Sequence, residues 1–134
     1  MAKIVVAGAT GLIGSAVAAE LTARGHTVIS LGRRSGASIQ VDFADIAGLR
    51  GLKLPPCDAL IHCAGVTDEE VKSDAAAALH RAALGTEALI GGAIDAGAGK
   101  IVYVASAHVY GALSGPIDET TPPNPLSNYA LAHF

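Results

Sequence analysis

The sequence predicts an α/β fold built on a doubly wound parallel sheet, and three observations carry that prediction. Short β-branched runs alternate with segments of helical periodicity along the whole chain. A glycine-rich turn, GATGLIG, stands between the first strand and the first helix. Hydrophobic residues make up 51% and charged residues 16%, with a mean hydropathy of +0.45, which fits strands buried on both faces or apolar surface covered by something outside these 134 residues.

Lys3 to Gly8 (KIVVAG) reads as strand one, and Ile13, Val17 and Leu21 recur at one helical face that stops at Gly25. His26 to Leu31 is strand two and Ser38 to Asp42 a short strand three. A short helix is expected over Asp45 to Leu49. Strand four covers Asp58 to Ala64, after Pro55 and Pro56 have excluded helix. A single long helix is expected from Asp68 to Ala96, then strand five from Lys100 to Ser106. Gly111 to Pro125, with four prolines, is a loop, and Ser127 or Asn128 caps a final helix start. Right-handed crossovers place the strands in the Rossmann-type order 3-2-1-4-5.

Length and charge narrow the function. At 134 residues the chain is one domain's worth of sequence, able to bury about two thirds of its unfolded surface. A net charge of −3, few aromatics and no basic cluster beyond Arg33-Arg34 give nucleic acid nothing to bind along. The longest apolar stretch carries Glu87 and Asp95, so no transmembrane helix and no membrane partner is expected. Cys57 and Cys63 read as buried reduced thiols of a cytoplasmic protein, and no spacing supplies a metal site.

The glycines at 8, 11 and 14 have a specific physical reading. Gly8 permits the tight turn, Gly11 lets backbone approach a pyrophosphate, and Gly14 lets helix and strand pack closely. Helix-start N–H groups then receive the anion. Where an acid at the tip of strand two would bind the ribose 2′-OH of NAD, this chain has Gly32, followed by Arg33 and Arg34. Two guanidinium groups and no carboxylate favour NADP over NAD. Asp42, with Phe43 beside it, stands where the end of strand three meets the adenine.

With these residues in place the chain resembles the N-terminal part of the extended short-chain dehydrogenase/reductase superfamily, in its NAD-dependent epimerase/dehydratase branch. GATGLIG, DALIHCAG, GTEAL, VYVASAHVYG and PIDETTPPNPLSNY match that family's motifs in order. The resemblance implies that Thr10, Leu12 and Ile13 line the pyrophosphate and that Ala64 and Gly65 pass beside the cofactor ribose. It implies that Ser106 hydrogen-bonds a substrate oxygen and that Tyr129 moves a proton while hydride passes to or from the nicotinamide. The substrate class implied is a nucleotide-linked sugar. His26, His62, His80 and His108 are expected to pack locally.

Two family positions differ. An asparagine is replaced by Ala82, and the lysine four residues after the tyrosine is His133. A charged lysine beside a phenol favours the phenolate, whereas an imidazole, with an ordinary pKa of about 6.5, is mostly uncharged at pH 7. Weakened turnover that rises toward alkaline pH is therefore expected, with His133→Lys raising it. The later strands and substrate lobe of the family are missing, which leaves strand five an open edge and predicts self-association or completion by further polypeptide. Two functions stand: an NAD(P)-dependent oxidoreductase, epimerase or dehydratase, and an NADP(H)-binding module without turnover.

Overall fold

A computed structural model describes residues 1–112 and 114–134; within the expected loop of residues 111–125, Leu113 lies outside the described residues. The chain folds as two compact units, residues 1–64 with 84–104, and residues 65–83 with 105–134.

The first unit holds five parallel strands: β1 (Lys3–Ala7), β2 (Thr27–Gly32), β3 (Ile39–Gln40), β4 (Ala59–His62) and β5 (Lys100–Tyr103). Their order is β3-β2-β1-β4-β5, the order expected from right-handed crossovers. β1 is central, and its alternation sorts the core into two layers. Val5 and Ala7 pack with Leu31, Leu60, Cys57, Leu89 and Ala93, while Ile4 and Val6 pack with Ala9, Val17 and Leu21.

The helix α1 (Leu12–Ala23) supplies Val17 and Leu21 to the second layer. Ile13, predicted on the same face, belongs to neither core cluster and stays 54% exposed in the first turn. The helix stops where Gly25 turns to φ 81°, with His26 N–H donating to Leu21 O and Gly25 N–H to Thr22 O. That pairing satisfies the last carbonyls.

Several elements differ from expectation: β4 is Ala59–His62 rather than Asp58 to Ala64, and β5 is Lys100–Tyr103 rather than Lys100 to Ser106. β3 is only Ile39–Gln40 rather than Ser38 to Asp42, because side chains interrupt the ladder at both ends. Ser38 N–H donates to Ser30 Oγ at 2.8 Å, and Asp42 Oδ1 turns the chain by accepting from Ala44 N–H at 2.9 Å. The expected single helix from Asp68 to Ala96 is two, α3 (Asp68–Ser73) and α4 (Ala75–Asp95). Asp74 is extended at φ −153°, and its Oδ1 accepts from Ala77 N–H at 3.0 Å, so it caps α4 and ends α3. A short helix α2 (Ile46–Gly51) follows the cap of Asp45, whose side chain accepts from Gly48 N–H.

The second unit contains α3, the first turns of α4, a turn of 3₁₀ helix over Ala107–Tyr110, and α5 (Asn128–Ala132). Thr67 and Glu70 form a reciprocal capping box at the start of α3. Among the described residues no helix is long and apolar enough to cross a membrane. Cys57 is buried and Cys63 half-buried, both free, and burial raises both thiol pKa values.

His62, the last residue of β4, is buried at 3% exposure. Its Nε2 lies 3.1 Å from Thr86 Oγ1, and its ring meets Tyr103 edge-on at 5.2 Å. Burial pushes its pKa down to about 4 from 6.5, so the folded ring stays neutral while the unfolded chain takes up a proton. The stability this neutrality gives is complete above pH 6.5 and is lost as pH falls toward about 4, on the order of 3 kcal/mol in all. We expect the urea midpoint to fall between pH 7 and pH 4.5 and His62→Gln to remove much of that slope. Parallel slopes for both proteins would contradict this account.

Candidate functional site

The glycine turn is built by backbone contacts that leave no room for side chains. Gly8 has φ 78°, and a Cβ there would stand 2.7 Å from Ala64 N and 2.9 Å from the Cys63 carbonyl carbon. A Cβ on Gly14 would overlap the Gly8 carbonyl, so the start of α1 lies directly on the end of β1. Gly8 and Ala9 N–H groups both donate to Leu31 O, at 2.9 and 3.1 Å, and Gly11 N–H donates to Gly8 O at 2.9 Å.

Gly11 is the N-cap of α1 and has no side chain to satisfy the first turn, which also holds no acid. Ser15 N–H, donating to Gly11 O at 3.0 Å, makes the first bond of the helical series. The N–H groups of Leu12, Ile13 and Gly14 have no carbonyl to reach within the helix. With the positive end of the helix dipole they form a receptor for an anion. Such a set of donors suits an anion such as a pyrophosphate, and Leu12 among them is 92% exposed.

At the tip of β2 the structure gives the two arginines different surroundings. Gly32 is buried, and a Cβ there would stand 2.7 Å from Thr10 Oγ1. Arg34 Nη1 donates to Thr10 O at 3.1 Å, whereas Arg33 offers its carbonyl to Gln40 Nε2 at 2.7 Å and extends its side chain into solvent. Asp42 is exposed but lies in the turn after β3, with one carboxylate oxygen used by Ala44 N–H. Phe43 packs half-buried against the core cluster of Val5 and Leu31. Ala64 lies against Gly8.

In the second unit the candidate residues lie on α5 and the 3₁₀ turn. Ser127 Oγ accepts from Ala130 N–H at 3.1 Å and caps the helix. Tyr129 lies between two imidazoles, His108 edge-on at 5.5 Å and His133 tilted at 4.6 Å. Ser106 Oγ accepts from His108 N–H at 3.2 Å, which starts the 3₁₀ turn and leaves the hydroxyl hydrogen available for donation. Sequence reasoning gave His108 only a local packing role. Its contact with Tyr129 spans the proline-rich loop, and no periodicity in the sequence signals it.

His133 is the C-cap of α5 and is buried, with Nε2 3.1 Å from Val66 O. A carbonyl only accepts, so Nε2 carries the hydrogen; in the neutral ring Nδ1 is then a bare acceptor. That Nδ1 is buried with no hydrogen-bond partner among the described residues. Gly65 lies under the ring, where a Cβ would stand 2.7 Å from His133 Cε1. His133 is thus fastened to backbone, not free as a lysine ammonium would be. Ala82 is half-buried on α4.

Residues 4–134 match the NAD dependent epimerase/dehydratase family. The chain is 30% identical over 138 residues to a dTDP-4-dehydrorhamnose reductase of Mycolicibacterium smegmatis, covering 97% of this chain and 39% of that protein. It superposes with a TM-score of 0.82 on a UDP-glucose-4-epimerase of Stenotrophomonas maltophila with bound NAD, at 26% identity, covering 99% of this chain and 46% of that one. RMD from Pseudomonas aeruginosa, complexed with NADPH, gives a TM-score of 0.77 at 28% identity, with coverages of 99% and 45%. The chain spans less than half the length of each of these proteins. The match over residues 4–134 shows that the chain belongs to the NAD-dependent epimerase/dehydratase family.

Proposed function

We propose that this chain binds NADP(H) in preference to NAD(H) and carries the cofactor and proton-transfer residues of an oxidoreductase, epimerase or dehydratase acting on a nucleotide-linked sugar. One observation carries the reading: the Gly8, Gly11 and Gly14 turn, packed without side chains, delivers uncapped N–H groups at the start of α1. The relatives support it: one has bound NAD and another NADPH, and two are named for a UDP- or dTDP-linked sugar.

Each residue then has a definite task. The N–H groups of Leu12 and Ile13 hold the pyrophosphate, with Thr10 beside them. Arg33 and Arg34 face the ribose 2′ position, Asp42 and Phe43 the adenine, and Ala64 and Gly65 the other ribose. The bound nicotinamide supplies hydride acceptance and donation. Ser106 donates its free O–H to a substrate oxygen, and the Tyr129 phenol gives or takes the proton at that oxygen. His133 steadies the Tyr129 ring while fastened to Val66 O.

A second reading, cofactor binding without turnover, is favoured by that same bond. A neutral imidazole has one N–H, and in His133 it is committed to Val66 O, so Tyr129 has no ammonium beside it. Tight NADPH binding with no turnover of any UDP- or dTDP-sugar would establish this second reading.

Two expectations test these assignments. By fluorescence titration NADPH binds more tightly than NADH, and Arg33→Ala removes most of the difference, about 1.5–3 kcal/mol for one desolvated charge-assisted contact. Equal affinities unaffected by Arg33→Ala would contradict the preference. His133→Lys lowers the urea-unfolding free energy by about 1–3 kcal/mol, because it replaces a buried, bonded ring by a charge that must be solvated. Unchanged or higher stability would show that the Val66 bond holds nothing in place.

A further inference from the structure

We propose that Thr10 is a specificity-determining residue: its side chain occupies the space at Gly32 in which a carboxylate reading a ribose 2′-hydroxyl would stand. The inference rests on the cofactor reading above and names the residue that enforces it. A Cβ at position 32 would meet Thr10 Oγ1 at 2.7 Å, Cγ2 at 3.0 Å and Cβ at 3.4 Å. Both branches of the threonine lie within 3.0 Å of that Cβ, so the Thr10 side chain must shift to admit it.

The backbones on either side are fixed. Gly8 and Ala9 N–H groups both donate to Leu31 O, which sets the segment before Thr10 against the residue before Gly32. On the far side Val41 N–H donates to Gly32 O at 3.0 Å. Arg34 Nη1 donates to the Thr10 main-chain O at 3.1 Å, so a shift of the Thr10 backbone releases that guanidinium. A side chain at 32 must therefore displace the Thr10 side chain and, where the backbone follows, Arg34. Thr10 and Gly32 form one coupled pair: together they keep an acid out and hold Arg34 at the place where a 2′-phosphate is met.

The test is a double-mutant cycle of wild type, Thr10→Ala, Gly32→Asp and the double variant, titrated calorimetrically with 5′-ADP and 2′,5′-ADP. Wild type is expected to bind 2′,5′-ADP about tenfold or more tightly than 5′-ADP. Gly32→Asp alone should weaken both ligands, and the double variant should recover 5′-ADP to within about threefold of wild type while losing the 2′-phosphate preference. A complete switch toward 5′-ADP by Gly32→Asp alone would overturn the inference while leaving the cofactor reading intact. A wild type that prefers 5′-ADP would overturn that reading and the inference with it. Should Gly32→Asp fail to fold, Gly32→Ala decides: its lowered urea midpoint should be restored in Thr10→Ala/Gly32→Ala, and a cost equal in both backgrounds would refute the coupling.

Discussion

The contact between Gly14 and the Gly8 carbonyl fixes where α1 begins, and most of the first unit follows from it. A side chain at Gly8 would strike the backbone of Cys63 and Ala64, and one at Gly14 would drive helix and strand apart. Because they meet as bare backbone, α1 lays Val17 and Leu21 on the Ile4 and Val6 face of the central strand. The same closeness carries the uncapped N–H groups of the helix start to the end of the sheet, the place where open α/β sheets take their ligands. Packing and binding thus share one cause. The tip of β2 is governed by the same turn, since Gly8 and Ala9 bond Leu31 and bring Thr10 over Gly32.

In the second unit the governing interaction is the bond between His133 and Val66 O. It assigns the ring's hydrogen to Nε2, buries Nδ1 as an acceptor, and sets the ring against Tyr129. The spacing of tyrosine and basic residue is kept, but the chemistry of that residue is not. A lysine presents three donors on a flexible stem; the Nε2 of this histidine is already held by Val66 O. The environment of the tyrosine is therefore made of rings and backbone, with Tyr129 set between His108 and His133.

Much of this was legible in sequence. Strand order followed from alternation and crossover handedness, and the GATGLIG turn announced its own close-packed geometry. What escaped was set by side chains acting on backbone. The Ser30 and Ser38 pair and the Asp42 turn shortened β3, and Asp74 divided the expected long helix by capping its second part. Propensity and periodicity register none of these, although an Asp ahead of an alanine run is a cap signal in its own right. The Thr10 contact with Gly32 and the His108 contact with Tyr129 join residues distant in sequence, through strand register in one case and a returning loop in the other. Only the folded chain displays them.

The central claim is that the glycine turn is a pyrophosphate seat and not merely a tight connection, and Gly11 separates the two. Gly11 is exposed, and a Cβ there would meet only the Gly8 carbonyl, at 3.2 Å, so Gly11→Ala alters the approach to the helix start more than the packing beneath it. NADPH fluorescence titration of wild type and Gly11→Ala, with thermal melts of both, is the direct measurement. The account predicts saturable binding by wild type and about a tenfold or greater loss of affinity in the variant at a nearly unchanged melting temperature. Equal affinities in the two proteins, or no binding by a folded wild type, would contradict it.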